Sequence, residues 1–283
     1  MNRNKVGLIC DLEYSHHILF KNYYYAISFL FDNVKMIANV NDLSDIEILI
    51  IVNDHFPNHI NIWKNDNFIN VVNNLNLIVV VFSTERIMDS FYSWNVDNQN
   101  NLVRFNKLYQ YCLVDDIDKL NRKLHRCLIS KHYKNILDFS AEKMDKAIFI
   151  GNTHIHCYGD RIDTLSKIDN FLPIDIMQSK QDEWLNYIEL LSKYRFIFCP
   201  IGNMDGFSLR FYEALLVKSI PIQQINPNIL NRYEIESNFD DCIFFHKVEE
   251  LDEKLKNFTL TRSHNELWLE DHIEELLKND NLI

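Results

Sequence analysis

Short runs of apolar residues alternate with longer stretches in which apolar positions recur every three or four residues, from Val6 almost to the last residue. Apolar runs of about four to eight residues suit strands buried on both faces, and the 3.6-residue period suits the helices that cover them. The pattern predicts strands at Val6 to Cys10, Lys35 to Val40, Ile46 to Val52, Leu77 to Phe82 and Tyr109 to Val114, with helices near Ile18 to Phe31, Asn61 to Leu75 and Ile117 to Ile129. Lys131 to Lys143 reads as a crossover. A second set follows: strand Ala147 to Gly151, a helix from Arg161, strand Ile174 to Met177, helix Glu183 to Lys193 and strand Phe196 to Cys199. Strands Ile220 to Gln223 and Cys242 to His246 and helices Val248 to Asn257 and Glu266 to Lys278 complete it.

Alternating strands and helices specify parallel sheets wrapped by helices, so the fold class is α/β. At 283 residues the chain is long for one core and comfortable for two of about 140 residues each. The predicted division is residues 1–135, an acceptor domain, and 136–283, a donor domain, both Rossmann-like and facing a cleft; the final helix is a candidate to pack back on the first domain. Ligands are expected beyond the carboxyl ends of the strands. No internal repeat and no Pro/Gly/Ser-rich linker is evident.

One segment concentrates the scarce residue types. Average usage would give roughly twenty glycines; the chain has five, and Gly202 and Gly206 both fall within YRFIFCPIGNMDGFSLRFYEALLVKSIPIQ, residues 194–223. This segment reads as strand, loop, short helix and strand. A helix starting between Asp205 and Ser208 would present unpaired N–H groups and a positive dipole end to an anion. Arg210 then falls in its first turn, where a cation is unfavourable unless an anion lies beside it. Glu213, three residues on, shares that face and as a carboxylate can accept two ribose hydroxyls. An Arg210–Glu213 ion pair on a solvated helix face is the plainer alternative.

In these residues the chain resembles the exostosin-like glycosyltransferases and related bacterial and viral sugar transferases of the GT-B type. Pro200, Gly202, Asn203, Asp205, Ser208, Arg210, Glu213, Ala214, Leu215, Ile220, Pro221 and Ile222 match their donor-site pattern in order and spacing. A weaker similarity covers FIGNTHIHCYGDRIDTL, from Phe149 to Leu165, which resembles the strand, loop and Arg-bearing helix that open a donor domain. There is a fainter similarity to the alpha-1,3-fucosyltransferases. Two positions depart from the pattern: Ile201 stands where many members carry a basic residue, and Lys218-Ser219 replaces the usual glycine before Ile-Pro.

The resemblance implies a nucleotide-diphosphate sugar as donor and a glycan or other hydroxyl as acceptor. It makes Gly202, Asn203, Asp205, Gly206, Ser208, Arg210, Glu213 and Arg161 the donor-binding candidates. Inverting transfer also needs a base for the acceptor proton. Glu85, after the apolar strand LIVVVF, is the first candidate, with Asp11 and Glu13 after the first strand as alternatives. Pairing with Arg86, or capping of the next helix, explains Glu85 equally well. His16, His17, Asp54 and His55 are similarly placed but carry no specific signal. No Asp-x-Asp pair follows a strand, so no metal or other cofactor is expected. His154 and His156 beside Cys157 lack a second ligand cluster at zinc spacing. Trp63 and Trp94 are candidate acceptor contacts, Tyr23 to Tyr25 read as core aromatics, and Trp268 reads as an anchor for the last helix. The alternative function is a non-catalytic two-lobed sugar- or nucleotide-binding module.

Composition narrows the partners. With 29 basic against 40 acidic residues the formal charge is −11, which opposes long-range attraction to nucleic acid or anionic membranes. Six cysteines without CxxC spacing favour a reducing compartment. The opening stretch is interrupted by Asp11 and Glu13 and reads as a strand rather than a signal peptide. No window reaches the eighteen or so apolar residues needed to span a bilayer. A cytoplasmic protein without a transmembrane segment is the expectation.

Overall fold

The computed structural model describes residues 5–10, 12, 18–53, 62–83, 101–112, 123–124, 129–134, 142–151, 161–178, 184–200, 209–225, 241–259 and 268–283. The chain divides into two compact units, residues 1–134 with 267–283 and residues 135–266. The sequence pattern drew the line one residue later and ran the second domain to residue 283.

In the first unit the strands are β1 (Val6–Ile9), β2 (Val34–Met36), β3 (Ile48–Asn53), β4 (Ile78–Ser83), β5 (Leu108–Cys112) and β6 (Lys123–Leu124). They form one parallel sheet in the order β2-β1-β3-β4-β5-β6. Its helices are α1 (Ile18–Leu30), α2 (Asp66–Asn74) and, from the end of the chain, α7 (Leu269–Asn279). The central strands are apolar at consecutive positions because both faces are covered. Ile9, Leu49, Ile51, Val79 and Val81 pack with Phe68, Ile69 and Val72 of α2. The alternate positions Leu8, Ile48, Ile50, Val80 and Phe82 are equally buried, on the opposite face by the two-residue period of a strand. Tyr23 of α1 sets its ring against Phe82 there.

The second unit contains β7 (Met144–Ile150), β8 (Ile174–Met177), β9 (Tyr194–Cys199), β10 (Ile220–Gln224) and β11 (Ile243–Phe245), with α3 (Arg161–Ile168), α4 (Trp184–Ser192), α5 (Leu209–Leu216) and α6 (Leu251–Asn257). This sheet is also parallel, in the order β11-β10-β9-β7-β8. Phe149, Phe198, Ile222 and Phe245 pack with Leu165 and Ile168 of α3 and Leu251 of α6. In each unit the chain begins on an inner strand, steps outward once, and then crosses back to build the other half. The strand order therefore reverses between β1 and β3 and between β7 and β9, and at such reversals open α/β sheets bind ligands beyond their carboxyl ends.

Several predicted boundaries move for local reasons. The strand expected over Lys35 to Val40 stops at Met36, because Asp42 accepts hydrogen bonds from the Ala38 and Asn39 amides at 3.0 and 2.9 Å and turns the chain into a 3-10 helix. The helix expected from Asn61 begins only at Asp66, where the Asn65 side chain accepts from the Asn67 amide. Of the helix expected over Ile117 to Ile129, Lys123 and Leu124 instead pair with Tyr111 and Cys112 as β6. Ile129 forms a parallel bridge with Trp268. Sheet pairing at that edge satisfies backbone groups that a short helix would leave open. Trp268, held in that bridge, is the last extended residue before α7. Trp63 is a core residue and Tyr25 stacks on His132, whereas Phe29 of α1 is exposed.

Candidate functional site

In the second unit, Ile148 pairs with Ile197, so the carboxyl ends of β7 and β9 lie side by side at the reversal of strand order. Gly151 follows β7 and Pro200 follows β9. Arg210, near the start of α5, places its guanidinium carbon 5.0 Å from the centroid of the Phe149 ring. Phe149 belongs to the face covered by α3 and α6. Cys199, on the opposite face, feels the same Arg210 charge. The guanidinium therefore reaches across the carboxyl edge of the sheet, and Gly151 makes room for it. A Cβ built on Gly151 would lie 2.8 Å from a terminal guanidinium nitrogen and 3.1 Å from the Phe149 ring.

Arg210 keeps part of its surface accessible, yet its Nε is buried without a hydrogen-bond partner among the described residues. Burial works against its charge, but Tyr187, Cys199 and Glu213 nearby hold its pKa above the ordinary value. A buried N–H of a charged group left unpaired costs about 1–3 kcal/mol or more. The arrangement suits an anion, which would supply an acceptor that the described residues do not provide at Nε.

Glu213 lies one turn along α5 and is buried. Trp184 Nε1 donates to its Oε1 at 2.8 Å and the Tyr187 hydroxyl donates to its Oε2 at 2.9 Å. Burial raises the Glu213 pKa above the ordinary carboxylate value, against the lowering effect of those two hydrogen bonds and of Arg210. Burial likewise raises the Tyr187 pKa, so its hydroxyl keeps its proton and remains a donor. The solvated helix-face ion pair considered from the sequence is therefore not what forms: both groups are drawn into the protein. Cys199 is inert in this setting, its thiol pushed up to about 12 by burial and bonded to the Ile197 carbonyl.

Of the other donor-site candidates, Arg161 opens α3 and is half-buried. Gly202, Asn203, Asp205, Gly206 and Ser208 lie outside the described residues, as do the candidate bases Glu85, Asp11 and Glu13. His16, His17, Asp54, His55, Trp94, His154 and His156 are outside them too. β4 ends at Ser83 and β1 at Ile9, each two residues before its candidate carboxylate. Among the described residues no group of three or more His, Cys, Asp or Glu is arranged to hold a metal ion. Nor is any described helix long and apolar enough to cross a membrane. Phe149, Trp184 and Tyr187 were not read as site residues. The available signal was the three-residue spacing of Trp184 and Tyr187, which puts two aromatic side chains with polar tips on one helix face.

A solved structure of similar architecture is an alpha-glucosyltransferase in complex with UDP and a 13-mer DNA containing a central A:G mismatch. The superposition has a TM-score of 0.55 at 10% sequence identity and covers 98% of this chain and 90% of that chain. Together with the two parallel sheets, this likeness assigns the chain to the GT-B fold, built of two Rossmann-like α/β units. No protein-family model matches the sequence. No curated protein matches it either.

Proposed function

We propose that the chain is a glycosyltransferase that moves a sugar from a nucleotide-diphosphate sugar to a hydroxyl of a glycan or other acceptor, with protein groups rather than a metal neutralising the leaving diphosphate. The observation that carries this reading is Arg210: a guanidinium drawn across the carboxyl edge of a parallel sheet at the reversal of strand order, with a buried Nε that has no acceptor among the described residues. The neighbour of the same fold, solved with UDP, supports the choice of ligand class. The exostosin-like donor pattern from Pro200 to Ile222 supports it independently.

In this reading the acceptor oxygen attacks the anomeric carbon as the bond from that carbon to the phosphate oxygen breaks. The electron pair leaves with the diphosphate, and Arg210, Asn203 and Arg161 stabilise the charge that develops there. Gly202, Asp205, Gly206 and Ser208 bind the diphosphate, and Glu213 accepts from the ribose hydroxyls. A carboxylate of the first unit, Glu85 ahead of Asp11 and Glu13, takes the acceptor proton. The net charge of −11 makes a small glycan or neutral hydroxyl compound a better acceptor than a nucleic acid.

Calorimetry with UDP and GDP, in the presence and absence of a chelator, tests the reading. One of the two nucleotides should bind with or without the chelator, and Arg210→Ala should weaken it by roughly tenfold or more, the loss of one hydrogen bond to a charged group. Unchanged binding by Arg210→Ala sinks the proposal. Slow release of sugar from the cognate donor separates an enzyme from a binding module, which would only melt at a higher temperature.

A further inference from the structure

Two aromatic residues outside the resemblance set the geometry of the site. Trp184 and Tyr187 stand one turn apart on α4, and each points its polar atom at a different oxygen of Glu213. Both residues are half-buried, whereas the carboxylate they meet is buried. The polar tips are thus turned inward while part of each side chain stays accessible, the reverse of the usual placement of Trp and Tyr with the polar end in water.

We infer that Trp184 and Tyr187 are positioning residues for nucleotide recognition, holding the Glu213 carboxyl group in the plane that accepts ribose hydroxyls, with Tyr187 also linking that group to Arg210. The inference rests on the nucleotide-sugar reading above. A carboxylate on a three-torsion side chain has no fixed plane of its own, but one donor on each oxygen fixes it. A carboxylate has about four acceptor positions when ionised; described residues fill two of them, and in this reading the vicinal diol of a ribose takes the others. Burial holds the Glu213 pKa above the ordinary carboxylate value, and the two donors and Arg210 limit that rise. The Tyr187 hydroxyl also interacts with the Arg210 guanidinium. That places it between the group assigned to the ribose and the group assigned to the diphosphate. Among the described residues, Trp184 donates to Glu213, on the ribose side of this arrangement.

The two positions therefore give different results with three probes: UDP, 2′-deoxy-UDP and inorganic pyrophosphate, measured by calorimetry, with GDP and its deoxy form in place of the uridine pair if guanine is the preferred base. Wild type should prefer the ribonucleotide by roughly tenfold, as expected for one hydrogen bond to a charged group. In Trp184→Phe the ribose preference should fall to about twofold or less, with pyrophosphate affinity within about twofold of wild type. Tyr187→Phe should lose the preference and also bind pyrophosphate several-fold more weakly.

A Trp184→Phe protein that keeps its ribose preference overturns the inference. So does one that loses UDP and pyrophosphate by the same factor, since a purely structural role weakens both alike. If Trp184→Phe does not fold, Tyr187→Phe, which removes a single oxygen, decides by the same ribose preference. Wild type that binds the nucleotides without a ribose preference refutes the inference while leaving the nucleotide-sugar reading intact. Wild type that binds none of the probes refutes both.

Discussion

Replacing Gly151 by alanine separates the stability of the second unit from its capacity to bind an anion. The added methyl would lie 2.8 Å from a terminal nitrogen of Arg210 and 3.1 Å from the Phe149 ring. Phe149 is fully buried among Leu165, Phe198 and Ile222 and has nowhere to go. The long arginine side chain does, and its guanidinium must retreat by about 0.6 Å to restore ordinary contact near 3.4 Å. Such a retreat forces off-rotamer torsions at about 0.5–1.5 kcal/mol. Alanine also restricts the unfolded chain, which returns about 0.4–1 kcal/mol. Those two effects nearly cancel, but the 3.1 Å contact with the immobile Phe149 ring is not relieved, so the melting temperature should fall by a few degrees.

Binding should not be spared, because the displaced guanidinium loses alignment with its anion, and a hydrogen bond to a charged group contributes about 1.5–3 kcal/mol. Calorimetry should show UDP, GDP or pyrophosphate binding weakened by about ten- to a hundredfold. In an Arg210→Ala background the methyl meets no guanidinium and should have no further effect on affinity. Full-strength binding by Gly151→Ala would show that the guanidinium position does not matter to the ligand, and the donor-site assignment would fail with it.

Two predictions concern the scaffold beneath the site. Lys143 Nζ donates to the carbonyls of Ser192 and Val217 at 2.6 and 2.9 Å and to Ser219 Oγ at 3.1 Å, tying together the ends of α4 and α5. Burial, with a smaller contribution from Lys218, lowers its pKa to about 8, so between pH 8 and the unfolded value of about 10.4 the unfolded chain binds more protons and stability rises with pH. Lys143→Met should lose about 1–3 kcal/mol at neutral pH, and urea midpoints should show the wild-type advantage widening from pH 8 to pH 9.5; parallel curves would refute the assignment. Lys218, just past α5, has φ 56°, a left-handed conformation that costs an L-residue about 1–2 kcal/mol. Part of that gain is offset by the freer unfolded chain of glycine, so Lys218→Gly should raise the unfolding free energy by several tenths of a kcal/mol without changing nucleotide affinity, and a lower midpoint would contradict it.

Lys218 also shows how a departure from a sequence pattern can hide an unchanged backbone. The resemblance flagged Lys218-Ser219 as replacing a glycine, yet the backbone still takes the turn that glycine favours. Ser219 is fixed by its own bonds, donating to the Tyr194 carbonyl at 2.7 Å and accepting from Lys143. The parallel α/β architecture was legible because buried strands such as ILIIV at Ile48 to Val52 leave a continuous apolar run. Arg210 and Glu213 were legible as a pair because they share one short helix. Their surroundings were not. Gly151, Phe149, Trp184 and Tyr187 come from β7, the residue after it and α4, between 23 and 64 residues before them in the chain, and no local period records which side chains meet across a sheet edge. Lys123 and Leu124 failed for a related reason: a two-residue edge strand is specified by its partner, not by its own pattern.

The two units have the same inner strand order, so fold alone does not distinguish the carboxyl edge of one sheet from that of the other. Their buried polar groups differ in what they are bonded to. In the first unit, Glu270 of α7 accepts from Ser130 Oγ and from the Lys131 amide, and Asn22 of α1 accepts from the Ser130 amide. These bonds join backbone near residue 130 to the helices it packs on, beside the points where the chain leaves the unit and returns, and they serve that connection. In the second unit, Lys143 and Ser219 do comparable structural service at the helix ends, well away from the carboxyl edge of the sheet. Arg210, Glu213, Trp184 and Tyr187 connect no crossing of the chain. Apolar residues of similar size would pack there without the desolvation cost of two buried charges. A cluster that joins α4 to α5 at the reversal of strand order, with a positive charge at its accessible end, fits the proposed anionic ligand.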